Sequence, residues 1–329
     1  MNVYLRSPDE FSIEQMLSTD KTSGLTKREA YGASEIYIFC PEEDLESVRA
    51  SVKGLEVRFI FNEPILESVR GKVICHYKSS ELPGNLREFL VLATEVGAWV
   101  EPLVSYLDSR LGYTTIELLH SGYFLHQRAF SILSDKKQET RKRIMDLLMA
   151  TAISVFAFPF MLLTILAIKL ESRGPIFYKQ KRVGQFNQEF EVVKFRSMCT
   201  DAEKNGAVWA KENDNRVTKV GRFIRKTRID ELPQLINVFR GEMSIVGPRP
   251  EREIFIRDLE KHIPYYRFRH AVKPGITGLA QVRYPYGASI EDAKWKHRFD
   301  VHYIKHHRAI LDLKIILMTI KVVLFGMGR

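Results

Sequence analysis

Two adjacent carboxylates, Asp230 and Glu231, follow a cluster of cations (Arg222, Arg225, Lys226 and Arg228) within one or two helical turns. A carboxylate is a competent nucleophile toward phosphorus, giving an acyl phosphate, once the repulsion between two anions is neutralised. Mg²⁺ held by Asp230 and Glu231, with guanidinium groups on the remaining phosphate oxygens, would supply that neutralisation. The same spacing has a structural reading. Thr227 with Asp230 three residues on matches a capping box, and Pro233 suits a helix start. A helix N-terminus itself favours bound anions, so the two readings are compatible.

Further cations accompany the pair along the chain. In Gly247-Pro248-Arg249-Pro250, proline fixes its own φ and pushes the preceding residue toward an extended backbone, which predicts a preorganised Arg249. A solvated surface turn is the alternative. The runs 176–184 and 189–198 read as a β-hairpin in which Phe190, Val192, Lys194 and Arg196 share one face. Two cations side by side repel unless an anion accepts them, so Lys194 and Arg196 are phosphate-contact candidates, against an ordinary solvated face. The weaker cluster Lys273-Pro274-Gly275-Ile276-Thr277-Gly278 predicts a tight turn, with Arg283 emerging from a short apolar strand.

These residues must be positioned by larger elements. An uncharged apolar run from Leu147 to Ile168 precedes them. As a helix of about 22 residues it reaches about 33 Å, enough to cross a bilayer core once. Pro159 at its middle predicts a bend. Both flanks are basic (Lys136, Lys137, Arg141, Lys142 and Arg143 before, Lys169 and Arg173 after), so both ends favour the cytoplasmic side. We therefore expect a re-entrant helix over residues 144–170, broken at Pro159. A kinked transmembrane helix and a buried core helix are the alternatives. The stretch 309–325 is apolar with Asp312, Lys314 and Lys321 interspersed, as in an interfacial helix or one packed on a core.

At 329 residues the chain is long enough for two domains. Residues 34–120 alternate β-rich runs (35–39, 57–61, 73–75) with helical stretches near 43–53 and 85–110, which predicts a small, mostly parallel sheet. No glycine-rich phosphate loop follows the first strand, so dinucleotide binding has little support. The charged segment 131–143 reads as a linker. The expected organisation is thus a soluble Rossmann-like α/β domain over 1–130, the linker, the re-entrant helix, and a mainly α (α+β) membrane-associated catalytic domain over 171–329.

The net charge of +10 is compatible with nucleic acid, anionic lipid or phosphorylated substrates. Its concentration beside the apolar run and the acidic pair favours lipid headgroups and phosphates over nucleic acid. Cys40, Cys75 and Cys199 have neither disulfide-framework nor zinc-ligand spacing. The polar opening, Met1 to Asp20, lacks a signal-peptide core, so the first domain is expected in the cytosol.

Taken in order, Gly174-Pro175-Ile176-Phe177-Tyr178-Lys179-Gln180, Lys194-Phe195-Arg196-Ser197-Met198, Asp214 to Arg222, Asp230-Glu231-Leu232-Pro233-Gln234-Leu235, Ser244 to Pro250, Pro274 to Gly278 and Leu311-Asp312-Leu313-Lys314 resemble one family. It is the bacterial polyprenyl-phosphate sugar-1-phosphate transferases, monotopic phosphoglycosyl transferases that start exopolysaccharide assembly, over residues 140–329. The resemblance implies that Asp230 attacks the β-phosphate of a UDP-sugar, releasing UMP. Polyprenyl (undecaprenyl) phosphate then takes the sugar-1-phosphate from the enzyme. It further implies that Glu231 assists through Mg²⁺ or proton handling, and that Lys194, Arg225, Arg249 and Arg283 hold phosphates. Asp300, in Arg298-Phe299-Asp300-Val301, resembles an acidic site position of such enzymes. Residues 284–289 resemble the exopolysaccharide subgroup, which hints at a hexose phosphate.

The implied location is the cytoplasmic face of the bacterial plasma membrane, among anionic lipids, with a homo-oligomer left open. Two departures stand out. Phe158-Pro159 replaces the family's frequent Ser-Pro at the break, and no transmembrane helices precede the soluble domain in this sequence. A membrane-attached, non-catalytic nucleotide-sensing or scaffold protein of polysaccharide assembly is the different-class alternative.

Overall fold

A computed structural model describes residues 30, 32–63, 65, 68–126, 136–202, 214–284, 287 and 289–324. The chain divides into two units, 1–127 and 128–329. In the first, strands β1 (Glu35–Phe39), β2 (Arg58–Phe61), β3 (Val73–His76) and β4 (Trp99–Pro102) form one parallel sheet in the order β2-β1-β3-β4. Helices α1 (Leu45–Val52), α2 (Gly84–Glu95), α3 (Leu103–Leu111) and α4 (Ser121–His126) intervene or follow. Phe39, Ile74, Leu90 and Ala93 lie in its core. The helix expected over 85–110 is two helices with β4 between them. The left-handed Gly97 (φ 93°) ends α2, and Trp99-Val100 then continue as strand beside β3.

The second unit opens with α5, a single helix from Lys136 to Glu171 that carries Pro159 inside it. The helix therefore starts within the segment expected as linker; the segment's earlier residues, 131–135, lie outside the described ones. An 18-residue window of α5 has mean hydropathy 2.3 and is only 11% buried, so the helix is long and apolar enough to cross a membrane. Its buried positions, Asp146, Ala150, Thr164 and Ile168, fall on one face. Between them Val155, Phe156, Phe158 and Phe160 are exposed.

The expected hairpin is present: β5 (Phe177–Val183) pairs antiparallel with β6 (Glu189–Phe195). Helices α6 (Lys219–Lys226) and α7 (Leu235–Arg240) flank a 3₁₀ turn, Ile229–Gln234. Beyond them lie β7 (Ser244–Val246), α8 (Glu253–Leu259), β8 (Gly275–Thr277), α9 (Leu279–Arg283), α10 (Ile290–His306) and α11 (Ala309–Leu324). Helix α11 buries Asp312 and Ile315 and exposes Ile310, Leu313, Leu317 and Ile320, a second apolar stripe at helical spacing.

Candidate active site

The acidic pair owes its place to how α6 ends. Thr218 caps the helix start, its hydroxyl accepting from the Gly221 N–H at 2.9 Å. At the other end the Thr227 hydroxyl donates back to the Phe223 carbonyl at 2.9 Å, and Arg228 adopts a left-handed backbone (φ 59°). That turn redirects the chain, so Asp230 and Glu231 occupy the first residues of the 3₁₀ turn rather than a capping box. The capping reading of Thr227 and Asp230 is thereby set aside: Thr227 closes α6 instead of opening a helix.

Both carboxylates are nearly buried, Asp230 at 8% and Glu231 at 6% exposure. Their surroundings differ. The Glu231 Oε1 accepts from Lys194 Nζ at 3.0 Å and from Arg249 Nη2 at 2.7 Å, while Oε2 accepts from Arg249 Nη1 at 3.3 Å. Burial works against its charged form, but Arg249 and then Lys194 outweigh burial and hold the carboxyl well below the usual range. Asp230 accepts no hydrogen bond among the described residues. Burial, and then the neighbouring Glu231 charge, push it up to about 6. One acid is locked in ion pairs; its neighbour is free to meet a ligand.

Both face a cavity of about 640 Å³, within the usual range for a small-molecule site. Lys194, Arg225 and Arg249 line it as expected, joined by Arg228. The hairpin contributes a wall. Tyr178 lies opposite Lys194, and Gln180 and Arg182 follow at strand period on the same face, all three at the cavity. Arg182, Arg216, Arg252, Arg269 and Lys296 were not singled out from sequence. Strand parity from Lys194 would have found Arg182; the others come from segments with no shared periodicity.

Two expectations are corrected, and that for Arg196 is sharpened. Arg196 is buried, and its guanidinium donates to the Ser172 and Arg173 carbonyls at 2.9 and 3.0 Å. It lines the cavity as well, but both of its terminal nitrogens are committed to anchoring the chain leaving α5. Arg283 is exposed at the end of helix α9, not of a strand, and is not among the described residues lining the cavity. Asp300 does not line it either; it sits behind the wall, paired at 2.7 Å with the buried Arg269. Burial, against the pull of Arg269, raises Asp300 to about 6.

The Pro274–Gly278 motif has a supporting role. A Cβ on Gly275 would collide with the Gly247 N and the Thr277 carbonyl, so the glycine lets β8 approach the backbone that leads into Arg249. The Gly275 N–H donates to the Pro248 carbonyl at 2.9 Å, fixing the start of that segment.

The donor set can be tested against a divalent cation. Asp230 offers a free carboxylate at the cavity wall, while Glu231 has Oε2 only loosely engaged by Arg249 at 3.3 Å. That fits Mg²⁺, which takes one or two carboxylates and fills its other positions with phosphate and water.

Matching against protein families pairs residues 137–326 with bacterial sugar transferases. The chain belongs to that family. It is 40% identical over 271 residues to a UDP-N-acetylgalactosamine-undecaprenyl-phosphate N-acetylgalactosaminephosphotransferase of Aeromonas hydrophila, covering 82% of this chain and 63% of that protein. A UDP-glucose:undecaprenyl-phosphate glucose-1-phosphate transferase of Caulobacter vibrioides is 37% identical over 230 residues, 68% of this chain and 86% of its own length. A transferase of the same description from Escherichia coli is 41% identical over 181 residues, 54% of this chain but 39% of its own. The sugar transferase segment thus contains all but the first residue of α5, the hairpin, the acidic pair, the Arg249 segment and all the cavity residues.

A buried histidine beside this site sets a pH dependence. His270 Nδ1 lies 2.9 Å from the Asn187 amide oxygen at the hairpin end. Burial, and then Arg269 and Arg267, push it down to about 3. Its folded value lies below the unfolded one of about 6.5, so the unfolded chain binds the proton first as pH falls. Stability contributed by neutral His270 is present above that pH and is lost progressively toward pH 3, by up to about 1.4 kcal/mol per pH unit. Asp300 opposes this over part of the range in wild type and variant alike. Thermal melts from pH 7 to 4 should therefore show a shallower loss in His270→Gln than in wild type; equal slopes would contradict the assignment.

Proposed function

We propose that this chain transfers a sugar-1-phosphate from a UDP-sugar to undecaprenyl phosphate, releasing UMP, with Asp230 as nucleophile. The observation that carries the reading is the asymmetry of the pair: Asp230 accepts no hydrogen bond among the described residues and lies at the wall of a cation-lined cavity, beside a Glu231 already neutralised by Arg249 and Lys194.

The steps balance without a proton. An Asp230 oxygen attacks the β-phosphorus and the bond to the UMP oxygen breaks, its electron pair leaving with UMP. An oxygen of the lipid phosphate then attacks the same phosphorus, the aspartyl bond breaks, and the carboxylate is restored. Lipid phosphate and UMP are both monoesters with a second pKa near 6, so the attacking acceptor and the leaving group carry the same charge at neutral pH. Glu231 therefore acts as the fixed partner that aligns Arg249 and Lys194, not as a proton carrier. Mg²⁺, held by Asp230 with Glu231 beside it, would screen the carboxylate from the phosphate oxygens. Arg225 and Arg228 face the same space and neutralise the diphosphate.

Delivery of the lipid fits a helix that enters and leaves on one side. Near one end of α5, Asp146 accepts from Ser244 Oγ at 2.9 Å and from the Ile245 N–H at 3.1 Å. Near the other, Ile168 packs with Phe195 and Ile224. Both ends of the apolar stretch thus rest on the same folded unit, and both flanks are basic, which supports a monotopic placement on the cytoplasmic face, with the helix unbroken through Pro159. Cysteines placed beside Arg141 and Arg173 should label from the same side of the membrane; labelling from opposite sides would refute this topology.

The activity is tested with purified protein, undecaprenyl phosphate, Mg²⁺ and a panel of UDP-sugars that includes UDP-glucose and UDP-N-acetylgalactosamine. UMP release is expected with at least one sugar, lost on chelation with EDTA and restored by Mg²⁺. Silence across the panel beside a working control enzyme would sink the proposal.

A further inference from the structure

Asp300 and Arg269 form an ion pair away from solvent, at 1% and 4% exposure. A buried pair is an expensive way to hold a core together, because hydrophobic residues of the same volume are often as stabilising. Its geometry points to a task other than stability. One guanidinium nitrogen of Arg269 (Nη2) lies 2.7 Å from Asp300 Oδ2 and donates to the main-chain carbonyl of Arg249 at 3.0 Å. The other (Nη1) donates to the Tyr266 hydroxyl at 2.7 Å. Two hydrogen bonds and one charge contact thus orient the planar group. The carbonyl it grips belongs to the residue between Pro248 and Pro250, where neither flanking residue has an N–H to anchor the chain. From that backbone the Arg249 side chain reaches Glu231.

We propose that Asp300 is a positioning residue: through Arg269 it fixes the main chain of Arg249, and so the guanidinium that holds Glu231 beside the nucleophile. The inference rests on reading this site as the phosphotransfer centre. A cation left without Asp300 would relax toward other acceptors, the Arg249 carbonyl would lose its anchor, and the clamp on Glu231 would widen. Misplacement of about 1 Å at such a group costs on the order of a hundredfold in rate.

The test is a mutant cycle with a second, activity-independent readout. Asp300→Asn is expected to lower kcat about tenfold to a hundredfold while the UDP-sugar KM changes less than about threefold. In an Arg249→Ala background the same substitution should cost almost nothing further, because the group it positions is gone. Hydrogen exchange of the peptide spanning 244–252 should quicken in Asp300→Asn. Should that variant fail to fold, Arg269→Met/Asp300→Leu restores an apolar pair; it should recover thermal stability while the exchange of 244–252 stays fast and kcat stays low. The proposal is overturned by an undiminished loss in the Arg249→Ala background. It is equally overturned by unchanged exchange at 244–252, or by activity that returns with stability in the double variant. Should wild type release no UMP with any sugar, the functional reading falls, and hydrogen exchange alone still decides whether Asp300 holds this segment.

Discussion

Asp230→Asn is expected to abolish UMP release and trapping of a radiolabelled sugar-phosphate on the protein, with a loss on the order of 10⁴-fold or more, as for other enzymes stripped of their nucleophile. The amide keeps the shape of the carboxylate but cannot form the acyl phosphate. No packing is disturbed, since Asp230 accepts no hydrogen bond among the described residues. Folding should not suffer, because the buried charge is already disfavoured, as its rise to about 6 records. The variant should therefore melt no lower than wild type and sediment with membranes to the same extent. Activity is followed by UMP release and covalent labelling, stability by thermal melts. Labelling that persists in Asp230→Asn and disappears in Glu231→Gln would reverse the roles of the two acids.

Arg249→Ala carries the second large effect, and here activity and stability fall together. Among the described residues Glu231 would keep only Lys194 as a partner while remaining buried. Breaking a fully buried pair costs about 3–5 kcal/mol; the Arg249 side chain retains 34% exposure, so about 2–3 kcal/mol is the expected loss here. Turnover should drop by about 10²- to 10³-fold, as when one preorganised donor is removed from a charge-stabilising site. Adding Glu231→Gln removes the orphaned charge and should return most of the melting temperature with none of the activity. Arg249→Lys, a point charge without the fork, should fall between. Full activity in Arg249→Ala would remove the clamp from the mechanism.

Much of the second unit could be read along the chain because its signals are local. Apolar length marks α5, and alternation marks the β5–β6 hairpin. Adjacent acids amid arginines mark the site, and two prolines mark Arg249. The misreadings share a cause as well. Arg196 and Lys194 are equivalent by strand parity, yet the chain leaving α5 returns beside one and the 3₁₀ turn beside the other. The two cations therefore take carbonyls in one case and a carboxylate in the other. Arg283 looked like a strand-end cation because Ile276-Thr277 are β-formers, but the strand stops at Thr277 and α9 begins at Leu279. Thr227 and Asp230 have capping spacing, and the left-handed Arg228 between them sends the chain elsewhere.

By itself the sequence determined that an acidic pair, a rigid arginine and an apolar helix occur on one chain, since composition and short-range stereochemistry suffice for that. Only the tertiary structure decided which acid is free and which is bound, and that Asp300 stands behind the cavity rather than in it. Those outcomes depend on side chains many residues apart competing for the same few oxygens, and spacing along the chain carries no information about that competition.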